Sequence, residues 1–255
     1  MITFKAKGLV LREYEAGESD KRLLILLKGH GRKFVYARGA RKPNSKFLAA
    51  SGLFTYGDFV LADGKQFLSL AQAEVIENFY SIRQDYDMFC WACRIIKVCE
   101  KAVPEATPCD DLLRLALKAL QHISTSQQDI PTIVAEQAVA VFLFRFFLIS
   151  GIAPEMEVCS ACGESLDAAN TFGSIDISSS TDSSFIFCHE GLLCISCRGK
   201  APERASSRAF MKLSPAVKAA IKHILSSELN QAFLFRCNKL GELMRAANLC
   251  YSYLE

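Results

Sequence analysis

Histidine, the commonest acid–base catalyst, is scarce in this 255-residue chain: four residues, at positions 30, 122, 189 and 223, far apart in sequence. No glycine-rich phosphate loop, paired-carboxylate motif or nucleophile elbow accompanies them, so the groupings that announce an enzyme are missing and a non-catalytic protein is expected. Long apolar runs are missing too. The longest, Ala138 to Ile149, is shorter than the roughly 20 residues a bilayer span needs, and Arg145 interrupts it. It reads as a buried core helix. The start, Met1-Ile2-Thr3-Phe4-Lys5, lacks the apolar core and cleavage site of a secretory signal, which points to a cytoplasmic chain with no membrane partner. No internal repeat is evident, and the one biased stretch, Ser178 to Ser184, reads as a flexible turn.

Net charge is also small, +3, but it conceals an asymmetry. The first fifty residues hold twelve Lys or Arg against four Asp or Glu, while the remainder holds eighteen against twenty-three. Such a cationic module most often meets a polyanion, and in a cytoplasm the commonest is nucleic acid. With 51% hydrophobic residues the chain can bury a full core.

Strand-like segments fill the front: Phe4 to Tyr14, Arg22 to Lys28, Lys33 to Arg38, Leu53 to Ala62 and Phe67 to Glu77, with turns at Gly29-His30-Gly31 and Asp63-Gly64. Five short strands predict a small barrel, of which the oligonucleotide/oligosaccharide-binding (OB) fold is the nucleic-acid-binding example. From Asp85 the period becomes helical, with Phe89, Ala92, Cys93, Ile96 and Cys99 on one stripe. Further helices are expected over Asp110 to Ile123 with Asp110 as N-cap, from Pro131 to about Ile149, over Ser214 to Leu225 and over Lys239 to Tyr251. The fold class is therefore α+β, divided into a small barrel over 1–80, which strand count alone does not separate into OB or another type, a helical domain over 81–155 and 200–255, and a cysteine ribbon over 156–199.

Eleven cysteines, an odd number in a chain expected to meet reducing conditions, speak against a disulfide framework. Four of them, Cys159-x2-Cys162 and Cys194-x2-Cys197, are spaced for metal, with 31 residues between the pairs. Two residues between thiolates let one tight turn place both sulfurs about 2.3 Å from an ion, and two such turns complete a tetrahedron. The expected cofactor is one structural Zn2+, since four thiolates leave no position for a reactive water. Cys188 and His189 lie close enough in sequence to substitute as ligands but belong more naturally to the ribbon's strand. Cys90 and Cys93 repeat the spacing on a helix among Phe89, Trp91 and Ile95, where core packing is expected.

On the third strand Arg32, Phe34, Tyr36 and Arg38 alternate with Lys33, Val35 and Ala37. Cations and aromatic rings on one face suit single-stranded nucleic acid, in which phosphates pair with charge and bases stack on rings; equally, Phe34 and Tyr36 could face the core. Arg41, Lys42 and Lys46 follow in a loop too polar for a core, where phosphate contact is expected.

Three blocks of the sequence stand together. The first comprises Gly8-Leu9-Val10-Leu11-Arg12, Gly17-Glu18-Ser19-Asp20-Lys21-Arg22, Gly31-Arg32-Lys33 and Arg38 through Ser45. The second runs from Phe144-Arg145-Phe146-Phe147 through Pro154 into Cys159-Ser160-Ala161-Cys162-Gly163, and the third is Gly191-Leu192-Leu193-Cys194-Ile195-Ser196-Cys197. In this order they resemble the RecO recombination mediators. The resemblance implies an OB domain, a helical domain with an inserted zinc ribbon, and a non-catalytic, nucleoid-associated role in bacterial DNA repair and recombination. It implies binding of single- and double-stranded DNA, annealing of complementary strands, capture of the acidic C-terminal tail of the single-strand-binding protein on the helical part, and cooperation with RecR to help RecA load. It makes Lys21, Arg22, Arg38, Arg41 and Lys42 the first DNA-contact candidates. Two rival readings remain from the residues alone, an OB-type RNA-binding or translation-associated protein and a zinc-dependent nuclease.

Overall fold

The computed structural model describes residues 3–64, 67–103, 105, 107–125, 131–166, 185–194, 196–197 and 210–253. They fall into two compact units, Met1–Ala135 and Glu136–Glu255.

The first unit is built on β1 (Thr3–Ala16), β2 (Asp20–Leu27), β3 (Gly31–Ala37), β4 (Tyr56–Asp63) and β5 (Leu68–Glu77), closed in the order β1-β2-β3-β5-β4. Antiparallel ladders join all neighbours except β3 and β5, whose short parallel pairing (Val35 with Leu68, Tyr36 with Ser69) completes the ring. This is the OB topology, and closure removes every free edge. Val10, Leu23, Ile25, Leu27, Val35, Phe59 and Leu61 fill the interior. Yet Leu9, Leu11, Leu24 and Leu26, on the alternate positions, are buried as well. The outer faces of β1 and β2 around these four leucines are covered by α2 (Tyr86–Ala102) and α3 (Asp110–Ser124), which explains the uninterrupted Leu23-Leu24-Ile25-Leu26-Leu27 run.

Three details differ from the sequence reading. Residues 53–55 are a turn rather than the start of β4, because Phe54 takes a left-handed backbone (φ 65°) that drives its ring edge-on against Phe89, 5.6 Å away. The loop after β3 is not wholly outside the core: Ala40, Phe47 and Ala50 join the barrel interior while its charged residues face out. Asp110 is the first residue of α3 rather than its cap, and its carboxylate accepts the Gly29 N–H (2.7 Å), fastening the β2–β3 hairpin to the helix. Gly31, in that hairpin, has φ 68° and lies so close to Thr107 that a Cβ would sit 2.3 Å from its carbonyl oxygen. A short α1 (Tyr80–Gln84) precedes α2, whose cap is Asp85, accepting from Met88 N–H at 2.9 Å.

α4 (Pro131–Ile149) runs from the first unit into the second. Its stretch Thr132–Ile149 is long and apolar enough to cross a membrane by length and composition. Ala138 through Phe144 are all fully buried, however, as expected of a core helix apolar all round. Arg145 is buried with them; its guanidinium donates to the carbonyls of Leu225 (3.4 Å) and Ser227 at the end of α5 (Pro215–Ser226). The rest of the second unit is a small antiparallel sheet ordered β7-β6-β8, from β6 (Phe185–Cys188), β7 (Gly191–Leu193) and β8 (Met211–Leu213), with α6 (Leu240–Tyr251) against β6, β8 and α5. Ser178 to Ser184 lies outside the described residues.

Candidate metal centre and nucleic-acid interface

Cys159, Cys162, Cys194 and Cys197 bring their sulfurs within 4.8 Å of one another, and the Cys162 and Cys194 sulfurs are 3.7 Å apart. A tetrahedron of 2.3 Å bonds has edges of about 3.8 Å, so the cluster is sized for one metal ion held by four thiolates. Two turns build it. In the first, Cys159 N–H donates to Glu164 O and Gly163 N–H returns to Cys159 O, both at 2.8 Å, with Gly163 at φ 75°. This is the tight reversal that two intervening residues permit. The second follows β7, where Gly191 (φ 133°) approaches Glu155 so closely that a Cβ would meet its carbonyl oxygen at 2.2 Å.

Backbone donors tune the sulfurs. Cys194 N–H points at the Cys159 sulfur (3.3 Å) and Cys197 N–H at the Cys194 sulfur (3.4 Å). Burial works against a thiolate at Cys159, but the N–H groups of Cys194, Ala161 and Cys162 outweigh it and bring that thiol down to about 7. Thiolates are what a metal requires, and Cys159 is the thiol shifted towards one; burial above all, with hydrogen bonds to the other three thiols, pushes Cys197 up to about 12. The two nearby substitutes are used elsewhere: Cys188 bonds Gly191 O (3.4 Å), and the His189 ring stacks on Tyr253 with centroids 3.6 Å apart. Cys90 and Cys93 form no part of the cluster, but neither are they core: Cys90 is exposed on α2, hydrogen-bonded with Tyr86, and Cys93 is half-buried.

On the barrel, β3 turns Val35 and Ala37 inward and Arg32, Phe34 and Tyr36 outward, so the two rings are not core. The β1–β2–β3 registers put Tyr14 opposite Arg22 and Arg22 opposite Tyr36, a cross-strand row on the outer face. Beside it the Arg22 guanidinium lies 3.9 Å over the Phe34 ring, and Tyr14 and Phe34 are 6.3 Å apart by centroids. Together with Glu15 and Phe67 they line an open cleft of about 470 Å³. Tyr36 is braced from behind by Asp20. The Gly39 N–H above all, with the Tyr36 and Ser19 hydroxyls and the Arg38 charge, holds the Asp20 carboxyl below its ordinary range.

The remaining cations divide. Lys21 pairs with Glu13, and Arg41 with Glu15 (3.1 Å) while donating to Gly17 O (3.2 Å). Lys46 donates to Ala71 O (3.2 Å). Arg32 turns to α2 and donates to Glu100 O, while Arg12 pairs with the Glu100 carboxylate (2.9 Å), so both are spent on holding the helix. Arg38 and Lys42 are exposed and form no ion pair among the described residues. The structure thus gathers Arg22, Phe34 and Tyr36, leaves Arg38 and Lys42 exposed with no ion pair among the described residues, and places Arg32 elsewhere. Tyr14 and Phe67 were not singled out in the sequence. Their membership depends on strand register and on the β3–β5 closure, and the one available signal was Tyr14 following Arg12 at the strand period.

A closed OB barrel with a cationic, ring-lined outer face, followed by a helical unit carrying a four-thiolate cluster, defines a class of barrel-and-ribbon proteins. Residues 1–79 match the family profile "Recombination protein O N terminal", and residues 83–253 match "Recombination protein O C terminal". DNA repair protein RecO of Acetivibrio thermocellus is 28% identical over 239 residues, covering 94% of this chain and 86% of that one. The protein of the same name from Listeria welshimeri is 34% identical over 185 residues (72% and 67%), and that from Bacillus pumilus 31% over 164 (64% and 61%). The chain belongs to the recombination protein O family.

Proposed function

We propose that this chain is a non-catalytic DNA repair and recombination mediator that binds single- and double-stranded DNA, anneals complementary single strands and, with RecR, helps RecA load onto DNA covered by single-strand-binding protein. The observation that carries the reading is the outer barrel face, where four rings and Arg22 line one cleft, in a chain whose relatives are named DNA repair proteins. Phosphate-weighted contacts screen strand charge and leave base edges free to search for a complement, which is what annealing needs. Base-edge readout would impede it.

In this reading Arg22, Arg38 and Lys42 take the first phosphates, Lys21, Arg41 and Lys46 exchange their present partners for phosphate, and Phe34 and Tyr36 carry bases. Cys159, Cys162, Cys194 and Cys197 hold one zinc ion whose role is structural, because all four positions are filled by protein. The acidic tail of the single-strand-binding protein docks on the helical part, and the protein acts in the cytoplasm at the nucleoid. The test is annealing of labelled complementary oligonucleotides, with and without single-strand-binding protein, together with binding to RecR and to an acidic-tail peptide. Accelerated annealing and both interactions are expected. Preference for RNA over an equal-length DNA at fixed salt would favour an RNA-binding role, and cleavage of the DNA with magnesium or zinc would favour a nuclease.

A further inference from the structure

We infer that the barrel cleft is a receptor for one unstacked nucleobase, with Tyr14 and Phe67 as walls, and that it selects single strands over duplex. The inference rests on the nucleic-acid reading above and assigns residues that reading does not use.

Shape and charge identify the ligand. The cleft, about 470 Å³, falls in the roughly 300–1,000 Å³ range of small-molecule sites and is too small for a duplex. Its walls are Tyr14, Phe34, Tyr36 and Phe67. Phe67 is 64% exposed and Tyr14 39%, and with the half-buried Phe34 and Tyr36 they gather four rings into one patch. Within the lining Arg22 lies flat on Phe34, and the Glu15 carboxylate is already held by Arg41 (3.1 Å). A flat, uncharged ring entering there meets π-faces on several sides, with the Arg22 cation beside it for its phosphate. Arg38 and Lys42, exposed and without an ion pair among the described residues, are not part of the lining and are left for the flanking phosphates of such a base. A base can enter only after leaving its stack, which costs little in a single strand and several-fold more in a pair. Tyr36, fixed by Asp20, supplies the rigid wall.

The test uses the full chain and an oligothymidylate bearing one internal 2-aminopurine, whose fluorescence falls when it stacks. Quenching on binding is expected. Tyr14→Ala and Phe67→Ala should each abolish it and weaken single-strand binding about 5- to 150-fold, the range for one stacked base, with the salt dependence unchanged. Duplex affinity should stay at the wild-type value, and Tyr14→Phe should restore both signals. Both side chains are exposed, so an unaltered thermal midpoint certifies the fold. Quenching that persists in both alanine variants, or equal loss for single strand and duplex, overturns the cleft while leaving the nucleic-acid reading standing. A wild-type chain that binds neither overturns both.

Discussion

The barrel and the cysteine ribbon reach a fixed shape by opposite means. The barrel buries Val10, Leu23, Ile25, Leu27, Val35, Phe59 and Leu61 in a closed ring and needs no cross-link. The ribbon's described part offers β strands of four and three residues, held mainly by two tight turns around four sulfurs. Hydrophobic burial is spread over many side chains and degrades gradually; a metal centre concentrates its free energy in one ion and is lost at once. The comparison also separates roles, since a barrel stable on its own core can spend its outer face on aromatic rings and cations.

Removing the metal should break the comparison most severely. Structural zinc contributes on the order of 10 kcal/mol in small ribbons, so chelation or Cys159→Ser should render the β6–β7 hairpin sensitive to protease while the barrel keeps its unfolding transition. Elemental analysis should give one zinc per chain, with Cys90→Ser/Cys93→Ser leaving it unchanged. Next, Phe54→Ala should cost the barrel about 3–5 kcal/mol, because its fully buried ring fills the joint with Phe89, and should leave zinc content intact. Gly191→Ala should be smaller, about 1–3 kcal/mol, as backbone strain at φ 133° and the approach to Glu155 loosen the ribbon. Faster zinc transfer to a chromogenic chelator would report it.

Much of this was legible in the sequence because the signals are local. Cys-x2-Cys spacing dictates a turn, and two such turns dictate a four-sulfur cluster. Alternation on β3 and the helical period after Asp85 located elements within a few residues of their observed bounds. What escaped depends on partners remote in sequence. Asp110 has the chemistry of a cap, but the Gly29 N–H, 81 residues away, claims its carboxylate. Arg32 belongs to the cationic series by composition, yet the carbonyl of Glu100 turns it to the helix. Tyr14, Arg22 and Tyr36 become one row only through ladder register, and Phe67 joins them only through the parallel pairing that closes the barrel. Cys90 faces solvent because the buried stripe of α2 runs through Met88, Ala92, Ile95 and Cys99 rather than Phe89 and Cys93.

The most direct measurement is the salt dependence of single-strand binding by the full chain and by Arg38→Ala/Lys42→Ala. Each phosphate neutralised on a single strand contributes roughly −0.7 to the slope of log affinity against log salt, so the double variant should flatten it by about 1.4. Arg41→Ala should change it less, because Glu15 already holds that guanidinium. A slope unchanged by the loss of Arg38 and Lys42 would contradict the placement of DNA on this face of the barrel.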